Sequence, residues 1–79
     1  MKKVALITGG CRGIGLGLSA ALAQEGYDLA VNGVRLESDV QEALAQLCAT
    51  GRDVIYCQAN VAQAKERTRM LDQVRAHYG

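Results

Sequence analysis

The sequence predicts an α/β fold built on a doubly wound parallel sheet, of which only the first three β-α units are present, with strand order 3-2-1. Three observations point there. Short apolar runs alternate three times with segments of helical period. The first run, Val4 to Ile7, is continuous rather than alternating, as in a parallel strand covered on both faces. Glycines at 9, 10, 13, 15 and 17 follow it at once and open the first helix. Such β-α units in series imply parallel strands joined by right-handed crossovers.

The elements follow in order. After Val4-Ala5-Leu6-Ile7, the residues Ile14, Leu18, Ala21 and Leu22 recur at helical spacing, and Gly26 is the stop. Leu29-Ala30-Val31 is the second strand, ended by Asn32-Gly33. Ser38 with Gln41 three residues later reads as a capping box. It opens a helix with the apolar stripe Val40, Ala43, Leu44 and Leu47, which Gly51 closes. Val54-Ile55-Tyr56-Cys57 is the third strand. A last helix runs to about Tyr78, with Met70, Leu71, Val74 and Tyr78 on one face. Its start is weakly signalled, because Ala62, Gln63 and Ala64 are poor caps.

Composition narrows the function classes. The chain has 79 residues, 49% hydrophobic and 22% charged, which suits a folded globular domain and not a disordered one. Nine basic and eight acidic side chains leave a charge of +1, without the basic excess that a nucleic-acid or membrane surface needs. No apolar run approaches the roughly 18 residues that span a bilayer. Three cysteines, Cys11, Cys48 and Cys57, share no repeating spacing. They point to a reducing, cytoplasmic setting rather than a disulfide frame or a metal site. With no Pro, Phe or Trp and nine glycines, a domain of this size is marginal alone. The first strand belongs at the centre of a doubly wound sheet, yet nothing here pairs its other edge. Residues 1–79 are therefore expected to be about half of a single Rossmann-type domain, with the remainder in the same or a second chain. In isolation they are expected to fold poorly or self-associate.

The informative segment is Thr8-Gly9-Gly10-Cys11-Arg12-Gly13-Ile14-Gly15, between a strand and a helix. A helix N-terminus presents unpaired amides and positive dipole density, and so attracts a pyrophosphate. Glycine at the turn permits positive φ, and glycine at the close approach removes a Cβ that would hold the phosphate away. A turn alone would need only two glycines. No Gly-Lys-Ser or Gly-Lys-Thr follows, which excludes a Walker-type loop. An NAD-specific site carries an acid at the end of the second strand, where it holds the ribose 2′-OH. Here that end reads Val31-Asn32-Gly33-Val34-Arg35, with Gly33 at the diagnostic place. A guanidinium can bind a 2′-phosphate bidentately, and Arg12 and Arg35 are both in reach in principle, with a solvated loop charge as the other reading of Arg35. NADP is expected in preference to NAD, and Gly33→Asp is expected to shift the preference towards NAD.

The spacing Thr-Gly-x-x-x-Gly-x-Gly, Thr8 to Gly15, resembles the cofactor motif of the short-chain dehydrogenase/reductase family. The resemblance covers the whole chain, through Gly26-Tyr27 and through Gln58-Ala59-Asn60-Val61, where the family has Ala-Asp-Val. Gly-Gly-x-Arg-Gly-Ile-Gly and Asp28-Leu29-Ala30-Val31-Asn32 are most similar to the 3-ketoacyl-(acyl-carrier-protein) reductase branch. The resemblance implies an NADP-dependent oxidoreductase that reduces a carbonyl by hydride transfer, as a homo-oligomer when complete. It implies Gly9, Gly13, Ile14 and Gly15 along the pyrophosphate and adenosine ribose, Arg12 near the 2′-phosphate, and Val61 beside the adenine. Asn60 replaces the Asp that accepts from the adenine amino group, which implies a weaker contact.

The family's Tyr-x-x-x-Lys pair, with its Ser and Asn, has no counterpart here. The residues four beyond Tyr27 and Tyr56 are Val31 and Asn60, and Tyr78 has nothing that far after it. No residue of 1–79 is therefore expected to be catalytic, these residues alone are not expected to turn over substrate, and His77 reads as a surface residue. The rival readings are a non-catalytic nucleotide-binding or regulatory module and a truncated inactive fragment. Cys11, at a helix N-terminus beside Arg12, has the setting of a reactive thiol. The simpler reading is a small residue filling space. Cys48 and Cys57 read as small hydrophobes within the helix and strand.

Overall fold

In a computed structural model that describes residues 3–79, the chain runs β1 (Val4–Thr8), α1 (Gly13–Gln24), β2 (Asp28–Gly33), a 3₁₀ turn (Glu37–Asp39), α2 (Gln41–Cys48), β3 (Val54–Gln58) and α3 (Ala64–Tyr78). The three strands form one parallel sheet in the order β1-β2-β3, the expected 3-2-1 read from the other edge. The register sets Val4 to Thr8 against Asp28 to Asn32, and Leu29 to Gly33 against Val54 to Gln58. β2 is thus central, and Leu29, Ala30 and Val31 are fully buried. This is why its apolar run is continuous. β1 pairs with β2 alone among the described residues.

Alternation along the strands divides the core in two. Ile7, Leu29, Val31 and Tyr56 meet Ala23, Val40 and Leu47 under α1 and α2. Ala30, Cys57 and Ala59 meet Met70 on the opposite face, with Ile55, Val61, Val74 and Tyr78 around them under α3. The sheet is therefore wound on both faces.

Gly26 ends α1 in the left-handed region, φ +99°. Its amide donates to the Ala23 carbonyl at 3.0 Å, and that of Tyr27 donates to Leu22 at 3.0 Å, the two bonds of a Schellman motif. Gly51, φ +85°, turns the chain two residues beyond the cap of α2, its amide donating to the Cys48 carbonyl at 3.0 Å. At the far end of α3, the Tyr78 hydroxyl donates to the Leu29 carbonyl at 2.6 Å and lies 3.0 Å from that of Asp53, which pins the helix to the start of β2.

Four local expectations are corrected. α1 faces the sheet with Leu16, Ser19, Ala20 and Ala23, whereas Ile14 is 92% exposed and Leu18 and Ala21 also point outward. Ser19, Ala20 and Ala23 on this face are small, with Leu16 and Leu22 packed beside them. Ser38 does not cap α2. It sits inside the 3₁₀ turn, Val40 takes the cap position, and the Gln41 amide turns back to the Glu37 carbonyl at 3.0 Å. Leu71 is exposed beside the Met70–Val74–Tyr78 face of α3, and Cys48 is exposed at the end of α2. The weakly signalled start of α3 has its own lock. The Asn60 amide donates to Glu66 Oε1 at 2.7 Å, and Asn60 Oδ1 accepts from the Ala62 amide at 3.0 Å.

Candidate functional site

The C-terminal ends of β1, β2 and β3 converge on one cleft of about 400 Å³. Its floor comes from Thr8, Gly9, Cys11 and Arg12, one wall from Asn32 to Arg35, and the other from Ala59, Asn60 and Val61. A crevice at the carboxyl ends of parallel strands is where open α/β sheets bind ligands.

The glycines shape the loop that carries the floor. Gly9 and Gly13 hold φ +65° and +50°, which other residues rarely adopt. Gly15 has a different reason to lack a side chain: a Cβ there would overlap the Gly9 carbonyl oxygen and stand 2.8 Å from its carbon. At Gly10 a Cβ would stand 2.9 Å from Val31 Cγ1. Beneath the loop, fully buried Ser19 donates its hydroxyl to the Gly15 carbonyl at 2.8 Å and lies 3.1 Å from that of Gly10. Arg12 is the extended cap residue of α1, no side chain caps this N-terminus, and no acid lies in its first turn. The amides there are left for an anion.

Buried Asn32 cross-ties the wall. Its amide donates to the Cys57 carbonyl at 2.8 Å and to that of Ala59 at 3.0 Å, while Gly10 donates its amide to the Asn32 carbonyl at 3.2 Å. The Tyr56 hydroxyl donates to the Arg35 carbonyl at 2.6 Å and fixes the segment after β2. Neither the Arg12 nor the Arg35 guanidinium has a hydrogen bond or ion pair with another described residue. Burial pushes the Cys11 thiol up, against a smaller downward pull from Arg35. Burial also raises the Tyr56 phenol, opposed by Arg35 and reinforced by Cys11, Glu37 and Asp39. Cys11 therefore belongs to the core cluster, and its setting disfavours the thiolate.

Of the residues singled out in the sequence, Gly9, Arg12, Arg35, Asn60 and Val61 line this cleft together. Gly13, Ile14 and Gly15 form the first turn of α1 beside it and do not line it. Asn60 already spends one lone pair of Oδ1 on Ala62. Tyr56, Asn32 and Ser19 are the residues that sequence reasoning passed over. Asn32 carried a signal, as the one polar side chain closing a buried apolar strand. His77 is on the surface, 2.8 Å from Asp53 Oδ2 and far along α3.

A profile of the short chain dehydrogenase family matches residues 3–79. The chain belongs to that family. Within it, the chain is 39% identical over all 79 residues to the 3-oxoacyl-[acyl-carrier-protein] reductase FabG of Staphylococcus aureus, and it spans 32% of that relative's length. A crystal structure of a 3-oxoacyl-[acyl-carrier protein] reductase from Brucella melitensis superposes with a TM-score of 0.91 at 33% identity, over the whole of this chain and 31% of that one. A further structure from Brucella melitensis, of a 3-oxoacyl-[acyl-carrier protein] reductase in complex with NAD, gives 0.90 at 33% identity and covers 30% of that chain. Family members of this kind thus run to about three times the present length. No helix among the described residues is long and apolar enough to cross a membrane.

Proposed function

We propose that residues 1–79 are the cofactor-binding portion of an NADP-dependent short-chain oxidoreductase that reduces a ketone by hydride transfer. Its substrate class is a 3-ketoacyl group on an acyl carrier protein. The catalytic Tyr-x-x-x-Lys pair comes from sequence outside these residues. The observation that carries this reading is the cleft itself: a floor shaped by a glycine loop with left-handed turns at Gly9 and Gly13, beside two arginines whose guanidiniums make no hydrogen bond or ion pair with another described residue.

The residues present fit a dinucleotide. Gly9 and Gly13 give the loop its left-handed turns, and Gly15 lets α1 approach the Gly9 carbonyl. The uncapped first turn at Gly13, Ile14 and Gly15 offers amides to a pyrophosphate. Val61 and Asn60 offer an apolar and an amide contact to the adenine. Gly33 leaves no acid to hold a ribose 2′-OH, while Arg12 and Arg35 offer charge-assisted bonds to a 2′-phosphate. A bound nicotinamide supplies the hydride.

The test is calorimetric titration of the complete chain with NADPH and NADH. One charge-assisted bond contributes about 1.5–3 kcal/mol, or roughly tenfold to over a hundredfold in affinity. NADPH should bind tighter by that factor, and Arg12→Ala should weaken NADPH more than NADH. A wild type that prefers NADH would contradict the proposal.

A further inference from the structure

Gly33 and Tyr56 are diagonal neighbours on the α1–α2 face of the sheet. Gly33 lies two residues beyond Val31, the register partner of Tyr56. A Cβ on Gly33 would stand 2.7 Å from the Tyr56 hydroxyl oxygen, and 3.4 Å from ring carbons Cε1 and Cζ. Only the hydroxyl is too close. It is also tethered, because it donates to the Arg35 carbonyl at 2.6 Å and its ring is packed in the core with Val31, Val40 and Leu47.

We infer that Tyr56 is the positioning residue for nucleotide discrimination. Its hydroxyl keeps position 33 bare, so no acid can stand at the ribose, and it fixes the Arg35 backbone so that this residue lines the cleft. The second half rests on the proposed 2′-phosphate site. The first half is a property of the fold alone. It also qualifies the expectation that Gly33→Asp simply shifts cofactor preference towards NAD. Any side chain at position 33 must first displace the Tyr56 hydroxyl and release Arg35.

The experiment is a double-mutant cycle in the complete chain with Gly33→Ala, Tyr56→Phe and the pair. Gly33→Ala should lower the melting temperature in the wild-type background, and by roughly half as much or less when Tyr56→Phe is also present. In parallel, adenosine 2′,5′-bisphosphate and adenosine 5′-monophosphate are titrated by calorimetry. Tyr56→Phe should cut the preference for the bisphosphate by about three- to tenfold, the effect of one lost neutral hydrogen bond, and move the monophosphate by less than about twofold. A general loosening of the fold would weaken both nucleotides alike. Additive melting shifts, or an unchanged bisphosphate-to-monophosphate ratio in Tyr56→Phe, would overturn the inference. A wild type without preference would instead overturn the proposed function, and the melting cycle would still decide what Tyr56 does at position 33.

Discussion

Two glycines in the same helix, two residues apart, should respond to alanine with opposite signs. At Gly15 the new Cβ would overlap the Gly9 carbonyl oxygen, with the Gly9 carbon at 2.8 Å and Gly10 Cα at 3.3 Å. All three obstacles are backbone, and the Gly15 carbonyl is held by buried Ser19, so neither side of the contact can yield cheaply. Overpacking of this kind costs about 1–3 kcal/mol, against a helix-propensity gain of about 0.5–1 kcal/mol for replacing glycine. The net is a loss of up to about 2.5 kcal/mol, and NADPH affinity falls as the loop shifts. At Gly17 a Cβ meets nothing within 4 Å and φ is ordinary, so only the propensity gain remains, about 0.5–1 kcal/mol. Urea unfolding of the complete chain reads both as shifts in midpoint at constant slope. A Gly15→Ala variant as stable as wild type, with undiminished nucleotide affinity, would refute the steric account of the loop.

Thiol labelling should separate the three cysteines. Cys48 is exposed and should react with iodoacetamide first, whereas Cys11 and Cys57 are buried with raised pKa values and should label only as the chain unfolds. Fast labelling of Cys11 in the folded state would show a reactive thiol after all. Alkaline pH should release α3. Burial, then the negative charges of Asp53 and Asp28, raise the Tyr78 phenol above its ordinary value of 10.0, so the fold holds the neutral form. That contribution is whole below pH 10 and is lost as pH rises above it. Tyr78→Phe should lower stability at neutral pH and flatten the alkaline fall, and an alkaline limb of unchanged steepness in denaturant unfolding would count against the Tyr78 anchor.

The architecture was legible because each strand of the sheet carried its own signal. Val4 to Ile7 and Leu29 to Val31 are continuous apolar runs, and Gly26 and Gly51 stand where the chain needs left-handed turns. The buried face of α1 was not legible, because hydrophobic size points to Ile14 and Leu18 while close packing selects Ser19, Ala20 and Ala23. The large side chains that misled the pattern lie on the outer side of α1, with Leu6 of β1 also exposed. Ser38–Gln41 shows the limit of a two-residue motif: the 3₁₀ turn before α2 moves the cap to Val40, and nothing in the pair signals that turn. The cleft was legible in its glycines and Arg12, which the motif places in one loop, and in Arg35 just beyond β2. Tyr56 was not, since its role depends on the diagonal contact across β2 and β3, and only the register brings that contact about.

Hydrogen–deuterium exchange of the complete chain with and without saturating NADPH tests the location of the site most directly. The glycine loop and first turn of α1, residues 9–16, should gain protection, together with residues 33–35 and 60–61 across the cleft. The Gly26–Thr50–Arg52 surface at the opposite end of the sheet should stay unchanged. Protection confined to that opposite end, or no change in the glycine loop while NADPH binds, would contradict the account.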